Sequence, residues 1–183
     1  MGRQPVGKTG PPQTTTPRIY VACLAAYNNG ILHGTWVDAA QEPWAIYDDV
    51  KAMLAKSPIG GAEEWAIHDY EGFGGARIEE YASFDHVAEL ATFIVEHGDI
   101  GAALLEHFSG DIEDAREALD ERYMGQHSSL ADYVQELTEE TTSIPQPLRY
   151  YIDWQAMARD AELNGDLFTI STAWDAVHVF AGC

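Results

Sequence analysis

Apolar residues recur along this chain at two periods, and the changes of period mark its elements. Residues 18–26 (RIYVACLAA) form a short apolar run rich in strand formers and read as a buried strand. Tyr27-Asn28-Asn29-Gly30 is a turn, where Asn and Gly supply positive φ. Residues 32–38 are a second strand. Pro43 suits the first turn of a helix along which Trp44, Tyr47, Val50 and Leu54 repeat, ending before Ser57-Pro58. Residues 64–70 (EWAIHDY) are a third strand, followed by the loop Gly72-Phe73-Gly74-Gly75. Ser83 then caps a helix with Val87, Leu90, Ala91 and Ile94 inside, and Gly98 ends it. Residues 144–147 break a helical middle region. Residues 148–163 predict one more helix, with Ile152, Gln155, Ala156 and Arg159 along it and Asn164-Gly165 closing it. Residues 167–171 and 176–180 pair as a terminal hairpin. No period of 20–50 residues is present, which excludes a solenoid.

The most informative stretch is residues 104–142, LLEHFSGDIEDAREALDERYMGQHSSLADYVQELTEETT. It predicts two or three short helices, each apolar on one side and acidic on the other. Asp111 is an N-cap, and Ile112, Ala115, Leu119 and Tyr123 form a buried stripe. Glu113, Asp114, Glu117, Asp120 and Glu121 fall opposite. In the next helix Ser128 or Ser129 is the cap, Leu130, Tyr133, Val134 and Leu137 face in, and Asp132, Glu136, Glu139 and Glu140 face out. With Glu106 these make eleven carboxylates against two cations, Arg116 and Arg122, or −9 for the stretch. Surface helices ordinarily alternate Glu with Lys at i,i+4, because like charges there repel by a few tenths of a kcal/mol per pair. Carboxylates three or four residues apart repeat every ~5–6 Å along a helix. A DNA strand carries about one charge per 3.4 Å. Packed acidic helices can therefore imitate a phosphate ladder, and ordinary solvated surface is the alternative.

Charge over the whole chain sharpens the choice. The 183 residues hold 30 Asp and Glu against 10 Lys and Arg, a net charge of −20. No carboxylate precedes Asp38, so the region from there onward has 30 acidic and 7 basic residues and carries −23. Such a balance excludes nucleic acid as a direct ligand unless a metal or a local patch intervenes, and favours basic partners. Adaptation to high salt is a competing account, since Lys occurs only at Lys8, Lys51 and Lys56. Residues 1–17, rich in Pro, Gly and Thr, read as a disordered tail or a cloning remnant. Cys23 and Cys183 make no metal or disulfide framework, and Cys23 reads as buried core. No segment is apolar for long enough to span a membrane and the N-terminus has no h-region, which points to the cytoplasm.

Catalytic and metal chemistry find little support. The KTG at residues 8–10 lacks the P-loop frame. Glu96-His97 and Glu106-His107 are neighbours that do not face each other on a helix, and HExxH and facial-triad spacings are missing. Asp111-Ile112-Glu113-Asp114 lacks the glycine of an EF-hand loop. His68 reads as a hydrogen-bonded structural histidine. With 30 carboxylates a glycosidase-like pair can be drawn anywhere and carries no information. Four of the five Trp (Trp36, Trp44, Trp65, Trp154 and Trp174) lie in strand or helix runs and read as core. The residues therefore predict a non-enzyme without cofactor or metal.

Four ordered markers carry a resemblance. They are Ile19-Tyr20-Val21-Ala22 with Leu24, Tyr27-Asn28, Gly30, Leu32, Gly34 and Trp36; then residues 66–71 (AIHDYE); then the acidic helix ending at residues 132–141 (DYVQELTEET); then residues 151–156 (YIDWQA) with Arg159-Asp160, Leu163 and Gly165-Asp166. Together they resemble the ArdA-type antirestriction proteins of mobile genetic elements. The resemblance implies an α+β fold in an elongated chain of three small domains with a strongly acidic surface. These are residues 18–82 (N-terminal α+β), 83–124 (middle helical) and 125–183 (C-terminal α+β, with the acidic motif and the dimer interface). It implies a head-to-head homodimer that mimics bent B-form DNA and occupies the DNA groove of type I restriction–modification enzymes through their methyltransferase core. A dimer of −23 regions carries −46, the charge of about 80 Å of duplex. The alternative is an acidic interaction module aimed at another basic DNA-binding or transcription protein.

Overall fold

A computed structural model describes residues 15–182. Residues 1–14 of the expected tail, and Cys183, lie outside them. The described chain is mixed α+β with two three-stranded antiparallel sheets. It divides into two compact units, one built on residues up to 73 together with 78–98, the other on residues 74–77 and those from 99 on.

In the first unit, β1 (Arg18–Cys23) lies between β2 (Gly34–Asp38) and β3 (Trp65–Glu71). Alternation along β1 and β2 sends Ile19, Val21 and Val37 into the core, where all three are buried. The expected strand over residues 18–26 stops at Cys23. Leu24–Asn28 is a short helix, α1, which buries Ala26. Gly30, at φ 73, then turns the chain. Cys23 is buried as expected.

Helix α2 (Pro43–Ala55) starts with proline in its first turn, where the missing N–H costs nothing. Its buried face is Ile46, Val50 and Met53. Of the stripe Trp44, Tyr47, Val50 and Leu54 expected from sequence, Val50 is buried, but the neighbours Ile46 and Met53 take the inward places of Tyr47 and Leu54, and Trp44 is 66% exposed. Helix α3 (Phe84–His107) begins at Ser83, whose Oγ accepts from His86 N–H at 3.3 Å. It buries Val87, Leu90, Ala91 and Ile94 as predicted, and Trp65 stacks on Phe84 at 4.3 Å. At Gly98 the backbone takes φ 59, ψ −138, a conformation reserved for glycine, and the helix is interrupted there. The interruption lies inside the region expected as a separate middle domain.

In the second unit, β6 (Ala176–Ala181) runs between β4 (Tyr123–His127) and β5 (Leu167–Ala173). The terminal hairpin was predicted and β4 was not. Helix α4 (Ile112–Glu117) continues into a π turn over Ala118–Arg122, α5 is Leu130–Thr141, and α6 is Trp154–Leu163. The single helix expected over 148–163 is a 3-10 turn (Gln146–Tyr151) and then α6, whose N-cap Asp153 accepts from Ala156 N–H at 2.9 Å. Leu130, Ala131 and Val134 of α5 pack with Ala158 and Val179. Phe180 lies among stacked rings, 4.8 Å from Phe168 and 5.1 Å from Tyr123, with His107 stacked on Phe168 at 4.7 Å. His178 is buried between hydroxyls, Nδ1 at 2.8 Å from Tyr123 Oη and Nε2 at 3.0 Å from Thr172 Oγ1. Burial holds its pKa below the usual histidine value and raises that of Tyr123.

Candidate functional site

The acidic stretch is assembled by local rules that the sequence spells out. Asp111 caps α4, its Oδ1 accepting from the N–H groups of Glu113 (3.0 Å) and Asp114 (3.1 Å). The two residues it caps are themselves acidic, favoured by the positive end of the helix dipole. Ser129 caps α5: its Oγ accepts from Asp132 N–H at 3.1 Å and donates to Asp132 Oδ2 at 2.7 Å, a reciprocal pairing. Thr138 and Thr141 donate their hydroxyls back to the helix carbonyls of Val134 and Leu137. That leaves carboxylates as the prominent polar groups of the helix exterior.

Every acidic residue singled out from sequence is exposed: Glu106, Asp111, Glu113, Asp114, Glu117, Asp120, Glu121, Asp132, Glu136, Glu139 and Glu140. They are not equivalent. Asp111 and Asp132 serve caps. Glu117 Oε1 is 3.5 Å from an Arg122 terminal nitrogen, Glu136 Oε2 is 3.6 Å from His127 Nδ1, and Glu139 accepts from Gln135 at 3.3 Å. The methylenes of Glu106 occupy the space a side chain on Gly75 would need, with a Cβ there falling 2.4 Å from Glu106 Cγ.

Five readings differ from the structure. The stripe Ile112–Ala115 continues through Ala118, but the π turn places Arg122 inward and delivers Tyr123 to β4 as its first residue rather than to a helix face. Arg122 is only 9% exposed, with its guanidinium 5.7 Å from the Phe108 ring. Half the positive charge of the stretch is thus tucked beneath the surface. Gly125, at φ 106, interrupts the apparent helical pattern and was the available signal for β4. Leu137, expected inside α5, is 42% exposed. Among the tryptophans, Trp36 lies at the surface, so the core assignment fails for it as well as for Trp44, while Trp174, the one outside the predicted runs, sits at the β5–β6 turn and is 92% exposed. His68 is exposed and packs edge-on against Tyr27 at 4.8 Å, in place of the expected hydrogen-bonded role. Among the described residues no three His, Cys, Asp or Glu side chains are grouped to hold a metal ion, and no helix is long and apolar enough to cross a membrane.

The chain matches a known family. The family model for the antirestriction protein (ArdA) covers residues 19–176, and the chain belongs to that family. Membership implies an antirestriction function exercised by inhibition rather than by catalysis. A search of curated proteins found no match.

Proposed function

We propose that this protein inhibits type I restriction–modification enzymes by acting as a mimic of B-form DNA. Its acidic helices compete for the Lys and Arg side chains that otherwise hold phosphates in the methyltransferase core. Incoming mobile DNA is thereby spared both cleavage and modification. The observation that carries this reading is the exposure of all eleven carboxylates in a stretch of net charge −9 while Arg122 is buried. Carboxylates fixed on short capped helices recur at ~5–6 Å, close enough to track a row of phosphates. A preformed mimic also avoids bending a duplex, which costs roughly 1–6 kcal/mol for 40–90° over a typical site. The proposal includes a cytoplasmic, head-to-head homodimer of protomers with three small domains, over residues 18–82, 83–124 and 125–183.

A competition titration tests it. A fluorescent duplex bearing a type I recognition site is bound to its purified methyltransferase core, and the protein is added at two salt concentrations. Stoichiometric displacement that weakens steeply with salt is expected. A folded protein that leaves the duplex bound refutes the mimicry and favours an acidic module directed at another basic partner.

A further inference from the structure

The two acidic helical segments are joined by the short strand β4. The π turn that ends at Arg122 runs straight into Tyr123, and α5 begins at Leu130, just past the end of the strand at His127. The directions in which Glu117, Asp120 and Glu121 lie on one side of the strand, and Asp132, Glu136 and Glu140 on the other, are therefore set by how β4 sits on its sheet. The backbone ladder alone holds it loosely. β4 is an edge strand paired with β6, its register shifts between Tyr123 and Gly125, and Gly125 stands at φ 106.

Side chains complete the attachment. Tyr123 sets its ring 5.1 Å from that of Phe180 and its hydroxyl 2.8 Å from Nδ1 of His178, both residues of β6. Nε2 of the same imidazole lies 3.0 Å from Thr172 Oγ1 on β5, and that hydroxyl donates to Ala176 O at 3.5 Å. The direction of the chain follows. Thr172 directs its proton to Ala176 O, so Nε2 carries the hydrogen it shares with Oγ1, and Nδ1 is left to accept from the Tyr123 phenol. This tautomer needs a neutral ring, which burial favours by lowering the pKa of His178. One hydrogen-bonded relay thus crosses all three strands. At the other end of β4, His127 Nδ1 is 3.6 Å from Glu136 Oε2 on α5.

We propose that the Tyr123–His178–Thr172 relay is a positioning device for inhibition: by fixing the start of β4 it holds the carboxylates of the two flanking helical segments in one register for the enzyme's cations. The inference rests on the mimicry reading above. None of the three side chains is a carboxylate, so they act only through the placement of others. The test repeats the duplex-displacement titration with the whole protein over a series of salt concentrations. Tyr123→Phe removes one oxygen and keeps the ring beside Phe180, so the circular dichroism should be unchanged. Displacement should need roughly fivefold more protein, the effect of losing one net hydrogen bond, and its salt slope should be shallower because fewer carboxylates pair at once. His178→Leu should behave alike, and combining it with Tyr123→Phe should add no further loss. His178→Asn, whose Oδ1 can still accept from the phenol, should recover most of the affinity. Val21→Ala, buried in the other sheet, should lower the melting temperature but keep the parent's affinity and slope. A parent that leaves the duplex bound overturns the mimicry and this inference together. A parent that displaces it overturns this inference alone if Tyr123→Phe equals it in affinity and slope, if Val21→Ala is impaired as much as Tyr123→Phe, or if His178→Asn is as poor as His178→Leu.

Discussion

The sharpest consequence of the acidic surface concerns how its effect is divided among residues. Some carboxylates have structural duties that would confuse the test. Asp111 and Asp132 engage caps, Glu117 and Glu136 hold ion pairs, and Glu139 holds Gln135. Glu113, Asp114, Asp120, Glu121 and Glu140 are exposed and can be changed to Gln or Asn with little effect on these contacts. An exposed ion pair is worth roughly 0.2–1 kcal/mol. Any single change should therefore weaken inhibition by at most about fivefold. Five together should remove about 1–5 kcal/mol, between roughly fivefold and several-thousandfold in apparent affinity. The assay is displacement of a labelled duplex from the methyltransferase core, with the salt dependence recorded for each variant. The quintuple variant should also show a shallower salt slope, since fewer charges are paired in the complex. A single one of these substitutions that abolished inhibition, or a quintuple variant that inhibited normally with an unchanged slope, would refute the reasoning.

Other expectations concern stability. Asp111→Ala should cost about 0.5–2 kcal/mol in urea unfolding, while Asp111→Asn, which still accepts from both amides, should lose much less; equal losses would count against the cap. Phe180→Ala, removing a fully buried ring stacked on Phe168, should cost about 3–5 kcal/mol by the same measurement, and a loss below 1 kcal/mol would contradict the packing. Burial holds the pKa of His178 below its unfolded value of about 6.5, so the unfolded chain binds its proton first. Its contribution is intact above about pH 6.5 and is lost as pH falls through the lowered folded value. Unfolding free energies measured from pH 7.5 down to 5 should therefore fall more steeply for the parent than for His178→Asn; parallel curves would remove His178 as the cause.

What sequence alone determined here is local or additive. The segregation of charge, the Ser83, Asp111 and Ser129 caps and the break at Gly98 depend on neighbours within a turn, and net charge depends on no structure at all. The outward set of eleven carboxylates followed from that, because charged side chains are rarely buried without partners. What only the tertiary structure decided depends on residues far apart in the chain. Tyr123–His127 became a strand because β6, over fifty residues later, offers it an edge. That pairing ends the helix in a π turn and places Arg122 beneath the acidic face. On α2 the predicted Val50 stays inward, but packing selects Ile46 and Met53, branched or flexible side chains, over Tyr47, Leu54 and Trp44. The open edge at β2 could not be read beforehand for the same reason. An open edge is a property of strand order, and strand order is set by pairings between distant segments that no local pattern encodes.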